Sequence, residues 1–128
     1  MSKRAIRTEA APAPFQGAPY SQAIKANGFV FVSGQLALQP GVKELLEGDI
    51  TVQTEQVFAN LKAILEAAGS SLGQLVKTTV FLQNLDDFPG MNEVYRSRVG
   101  DVPPARSTVE VAKLPSGALV EIEAIALA

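Results

Sequence analysis

Apolar residues recur along this chain with two periods, and the switches between them divide it into elements. Between about Thr51 and Ala68, the residues Val57, Phe58, Leu61, Ile64, Leu65 and Ala68 follow one face of a helix. Lys62 and Glu66 form an i,i+4 pair away from that stripe, and Gly69 is a natural stop after it. Elsewhere the pattern is that of strands. Ala23–Ala26 and Phe29–Ser33 flank Asn27-Gly28, which suits a type I′ turn because both central positions need positive φ. Leu75–Leu82 is β-branched and apolar, and Ala5–Thr8 suits a short first strand before a Pro-punctuated loop, Ala10 to Pro19. Gln39–Gly48 reads as a surface loop around Pro40-Gly41. Asp86 or Asp87 would cap a shorter helix carrying Phe88, Met91, Val94 and Tyr95. After Pro103-Pro104 the pattern predicts a hairpin, Ser107–Leu114 and Ala118–Ala126, around Pro115-Ser116-Gly117.

The resulting order, β, ββ, α, β, α, ββ, predicts a single α+β domain over residues 1–128, a mixed sheet with both helices on one face. The other face would be left uncovered, although the last strand is apolar at nearly every position. That mismatch predicts association with further copies of the chain.

Composition narrows the chemistry. There is no Cys and no His, which removes disulfides, thiol nucleophiles, the usual general base and the commonest zinc ligand. Any reaction must therefore run on carboxylates, Arg, Lys, hydroxyls and backbone groups, and no metal site is expected. The net charge is -2, and the densest basic cluster, Lys3, Arg4 and Arg7, is followed at once by Glu9. Nucleic-acid binding is disfavoured on that balance. No apolar run approaches the roughly 18 residues of a membrane span, and no signal-peptide core is visible, so the expected location is cytoplasmic.

The last quarter then stands out, because it sets Arg106, Glu121 and Glu123 into otherwise hydrophobic strands. A buried charge is costly without a partner. Residues two apart in a strand share a face, so Arg106, Thr108 and Glu110 group together, as do Glu121 and Glu123. Two readings stay open. One is an ion pair at the surface or an interface; the other is a carboxylate site, with Arg as the fork and Glu as acid or base. Tyr20 is either an aromatic at the core's edge or a pocket residue, and Ser33-Gly34 either serves a turn or exposes backbone N–H groups to a ligand. Lys77 reads as a strand-end lysine rather than a Schiff-base one, and Asn92 alone is a polar helix residue.

Together these pieces are more specific. Ala18-Pro19-Tyr20-Ser21-Gln22-Ala23-Ile24, Phe31-Val32-Ser33-Gly34-Gln35, Leu65-Glu66-Ala67-Ala68-Gly69, Val76-Lys77-Thr78-Thr79-Val80-Phe81-Leu82, Pro104-Ala105-Arg106-Ser107 and Val120-Glu121-Ile122-Glu123-Ala124-Ile125-Ala126 occur in one family's order. Over nearly its whole length the chain resembles the RidA/YjgF family of reactive-intermediate deaminases. The resemblance implies a chorismate-mutase-like fold, a homotrimer with sites in the clefts between subunits, and no cofactor. It implies hydrolysis of 2-imino and 2-enamino acids, such as 2-aminoacrylate and 2-iminobutanoate, to 2-keto acids and ammonia. Carried over by motif, Arg106 would clamp the substrate carboxylate and Glu121 would activate water, with Tyr20 near the imine. Ser33 and Gly34 would contact the substrate, with Asn92 and Thr108 at the rim.

Thr108 stands where some members of the family carry cysteine, and the connection from Tyr95 to Arg106 is shorter than in some bacterial relatives. The alternatives are a non-catalytic binder of small carboxylates, a ribonuclease or translation inhibitor, and a chaperone-like holdase. Having both Arg106 and Glu121 favours the enzyme over the binder.

Overall fold

Asn27 and Gly28 take φ values of 51° and 81°, as a type I′ turn requires, and join β2 (Ala23–Ala26) to β3 (Phe29–Gln35). The computed structural model describes residues 2–128. Its other strands are β1 (Arg4–Ile6), β4 (Leu75–Leu82), β5 (Ala105–Glu110) and β6 (Val120–Leu127); its helices are α1 (Ile50–Ala67) and α2 (Phe88–Arg98). All six strands form one mixed sheet in the order β1-β2-β3-β6-β4-β5, with only β4 and β5 parallel. The α+β fold with both helices over one face is the one the pattern predicts.

Local chemistry accounts for α1. The Asp49 carboxylate accepts a hydrogen bond from Val52 N–H at 3.0 Å and caps the start. At the other end Gly69 has φ 81°, Gly69 N–H donates to Glu66 O and Ser70 N–H to Leu65 O, a Schellman closure. The predicted stripe is the buried face: Val57, Phe58, Leu61, Ile64 and Leu65 are all at most 1% exposed. They pack on Val30, Val32, Val80, Leu82, Val120 and Ile122 of the sheet. Each such side chain contributes about 1.5–3 kcal/mol by leaving water. Lys62 and Glu66 do not come within ion-pair distance; among the described residues the one ion pair, Arg98 with Glu55, ties α2 to α1.

Three sequence expectations are corrected. The first strand lies at Arg4–Ile6 and ends before Thr8, whose backbone N–H is taken by the Gln22 side chain at 2.7 Å. Asp87 occupies the position before the second helix, but its side chain makes no capping hydrogen bond; Asn84 instead caps the preceding turn, Leu85–Asp87, accepting from Asp86 N–H at 2.9 Å. Most important, β5 and β6 are not a hairpin. β6 fills the slot between β3 and β4, antiparallel to both, while β5 runs parallel to β4 on its far side. The slot needs a strand with Val120, Ile122, Ala124 and Ala126 on one face, all buried against the helices, and that requirement overrides the Pro115-Ser116-Gly117 turn signal.

Buried amides hold the loops around this frame. Gln22 donates to Thr8 O, Ala11 O and Pro12 O, and Asn60 on α1 donates to Leu36 O and Leu38 O. Gln53 accepts from Leu119 N–H at 2.9 Å and sets the entry to β6. Among the described residues no helix is long and apolar enough to cross a membrane. The uncovered sheet face carries Phe31, Val109 and Leu127, each more than 40% exposed.

Candidate active site

The register of β5 on β4 decides where Arg106 points. Arg106 pairs with Thr78, whose side chain is buried under the helices, so Arg106 enters the same layer. As β5 is an edge strand, that layer is open there, and the guanidinium meets α2. Phe88, Asn92 and Tyr95 fall at i, i+4 and i+7 of α2 and present one face to it. The Asn92 Oδ1 accepts from Arg106 Nη1 at 2.8 Å. The Arg106 Cζ lies 4.6 Å from the Tyr95 ring centroid and 5.3 Å from that of Phe88. Such contacts are attractive and keep the planar group oriented.

Tyr95 is itself held on three sides. Its hydroxyl shares a 2.6 Å hydrogen bond with Thr78 Oγ1, and its ring meets Phe58 edge-on at 5.6 Å. Burial raises its pKa, against the opposing influence of the Thr78 bond and the Arg106 charge, so it stays a neutral phenol. The guanidinium opens onto a cavity of about 490 Å³ whose walls include Asn92, Tyr95, Arg96, Pro103 and Pro104. Thr108 lies two residues further along β5 with its Oγ1 buried and unpartnered, and Glu110 accepts from Leu85 N–H at 2.9 Å.

Glu121 stands elsewhere. Its neighbours Val120 and Ile122 point into the core, so its carboxylate projects from the uncovered face. The β3–β6 ladder pairs Val32 with Ala124 but Gln35 with Ile122, leaving Ser33 and Gly34 as a bulge. The bulge keeps both Val32 and Gln35 buried and sets Gly34 against Glu121. A Cβ at residue 34 would collide with the carboxylate, so only glycine fits without moving it. Ser33 is fixed by its hydroxyl, which donates to Ser21 O at 2.6 Å, and by Ser33 N–H, which donates to Gln22 O. Tyr20 precedes that segment; its hydroxyl accepts from Phe15 N–H at 2.6 Å and its side chain is half exposed. Burial, and secondarily the nearby Glu123 charge, push the Glu121 carboxyl above its ordinary value.

The proposed residues therefore form two groups: Arg106 with Asn92 near Thr108, and Glu121 with Gly34 near Ser33 and Tyr20. Arg106 makes no ion pair with Glu121 or Glu123, so an ion pair between them within one chain is excluded. Lys77 lines a separate small cleft with Thr79 and Glu123. Among the described residues no group of three carboxylates, His or Cys gathers in a way that could hold a metal ion. Sequence reasoning missed Phe88 and Tyr95, which it assigned to an apolar stripe, and Arg96. The available signal was the spacing of two aromatics around Asn92, ahead of an arginine that needs a face to stack on.

Comparison with known proteins gives a consistent picture. The family described as Endoribonuclease L-PSP matches residues 8–128. A RutC family protein of Pyrococcus abyssi is 52% identical, over 98% of both chains. A Dermatophagoides farinae protein named 2-iminobutanoate/2-iminopropanoate deaminase is 42% identical, over 96% of this chain and 94% of its own. The crystal structure of Escherichia coli TdcF with bound serine superposes with a TM-score of 0.89 at 39% identity, covering 98% of each chain.

Proposed function

Since the chain belongs to the endoribonuclease L-PSP family, the group that includes RidA, YjgF and RutC proteins, we propose that it hydrolyses small 2-imino and 2-enamino acids to 2-keto acids and ammonia. The observation that carries this reading is Arg106. It is a guanidinium held by Asn92 and two aromatic rings, without a carboxylate partner, at the mouth of a cavity. That arrangement suits the carboxylate of a small acid. The serine bound to the TdcF relative and the deaminase name of the mite relative support the same ligand class.

The chemistry asks little more. An enamine becomes an iminium ion when its terminal carbon is protonated, and the iminium carbon is already electrophilic. Water adds to that carbon while Glu121 takes its proton. That proton then returns to the nitrogen, the hydroxyl gives its own proton to Glu121 as the C–N bond breaks, ammonia leaves, and the keto acid remains. A carboxyl whose pKa is raised by burial holds a proton more readily than an ordinary carboxylate does, which suits it to taking the proton of water and returning it. Tyr20 lines the imine end, Ser33 and Gly34 offer backbone and hydroxyl contacts, and Asn92 and Thr108 border the carboxylate end.

Arg106 and Glu121 leave opposite faces of one sheet, so a single small substrate meets both only if they come from different copies. The uncovered apolar face supplies a surface for that association, and the homotrimer implied by the resemblance suits it. The test is to generate 2-aminoacrylate and 2-iminobutanoate with a dehydratase and trap them with semicarbazide. Wild type is expected to speed keto-acid release, while Arg106→Ala and Glu121→Gln fail with assembly intact. A wild type that leaves trapping unchanged makes the cleft a carboxylate-binding site without catalysis.

A further inference from the structure

Arg106 does not face its cavity alone. Arg96, one helical turn beyond Asn92 on α2, lines the same space, and no carboxylate lines it. Among the described residues Arg96 has no ion-pair partner: Glu55 takes Arg98, two residues on, and Glu93, three residues back, stays outside ion-pair distance. The positions four before and four after Arg96, where a helix ordinarily places a countercharge, are Asn92 and Gly100. Two unneutralised guanidinium groups thus border one cleft of polar and proline walls.

Their separation suits a particular ligand. Asn92 holds Arg106 directly, and Arg96 starts about 6 Å further along the helix axis, four residues at 1.5 Å each. A long arginine side chain over that offset reaches the far end of a four- or five-carbon acid whose near carboxylate sits on Arg106. We propose that this cleft favours imino acids with a second, distal carboxylate, the near one clamped by Arg106 and the distal one met by Arg96. The proposal rests on the Arg106 clamp described above and adds the substrate class.

The test compares two keto acids of equal length, 2-oxoglutarate and 2-oxopentanoate, by calorimetry at low ionic strength. Wild type, Arg96→Gln, Arg96→Lys and Arg106→Ala are titrated as assembled proteins. Arg96 is exposed, so wild type is expected to prefer 2-oxoglutarate by about three- to fivefold, the upper part of the range for an exposed ion pair. Arg96→Gln is expected to bring that ratio to about one, and Arg96→Lys to keep part of it. A wild type without preference, or an Arg96→Gln ratio equal to wild type, overturns the proposal, as does binding of neither acid. Arg106→Ala separates the two readings: if it binds both acids as wild type does, the clamp itself is refuted, whatever the ratio.

Discussion

Arg106 and Glu121 project from opposite faces of the same sheet, with β4 between their strands. Their strands lie two spacings apart, and they pair with Thr78 and Phe81, three residues apart along β4, so their backbones are about 14 Å apart before the side chains diverge. Arg106 goes under α2, and Glu121 goes to the uncovered face beside Gly34. Two subunits must then share each site if one small substrate is to touch both groups.

That sharing predicts complementation between two inactive variants. Arg106→Ala and Glu121→Gln, co-expressed and assembled together, should recover activity that neither has alone. In a cyclic assembly formed at random from equal amounts, about a quarter of the sites unite an intact arginine with an intact glutamate. Activity near that fraction in the trapping assay is the expected result. A mixture as dead as its parents would place both groups in one chain's site.

Tyr95 supports Arg106 through its ring and the fold through its hydroxyl, and two variants separate these roles. Tyr95→Phe keeps the stacking face and strands Thr78 Oγ1, so it should lower stability by about 1 kcal/mol with KM almost unchanged. Tyr95→Leu removes the face under the guanidinium, and KM should rise about fivefold, equivalent to roughly 1 kcal/mol of cation–π attraction. Thermal melts and steady-state kinetics on both proteins check this; equal KM values would leave the ring a purely structural role.

Gly34 should behave in the opposite sense, with a large effect on catalysis and a small one on folding. The atoms a new Cβ would meet belong to the end of the flexible Glu121 side chain, which turns aside at small cost. Gly34→Ala is expected to change stability by less than about 1 kcal/mol. If Glu121 activates the water as proposed, displacing it should lower kcat tenfold or more, since about 1 Å of misplacement is enough to cost a hundredfold. A variant as active as wild type would mean that Glu121 works from another rotamer.

Much of this frame was legible in the residues. The α1 stripe, the Asn27-Gly28 turn and the uniform β4 run each carry their own local signal, and each folds as that signal predicts. The partner of β6 was not legible, because a three-residue loop says that the chain turns without saying which slot the next strand fills. Only the need to cover α1 with Val120, Ile122 and Ala124 settles that, and it is a contact between distant segments. The chemistry followed the same division. Arg106 and Glu121 announce themselves as charges within strands, whereas Tyr95 looks like any core aromatic until Arg106 is found on its ring.

Glu121 ties stability to pH. Its carboxyl is raised in the folded protein by burial first and by Glu123 second, so the folded state binds the proton more tightly than the unfolded chain does. Below the unfolded value, about 4.3 for Glu, the group is protonated in both states and costs nothing. As pH climbs from there through the higher folded value, the unfolded state is first to gain the charge, and stability falls. Above that window the penalty is constant. Glu121→Gln carries no such charge, so it should melt higher than wild type at pH 7 and converge with it at pH 4. Melting curves of both proteins across that range check the sign; a Gln variant no more stable than wild type at pH 7 would mean that the assembled cleft gives the carboxylate a partner.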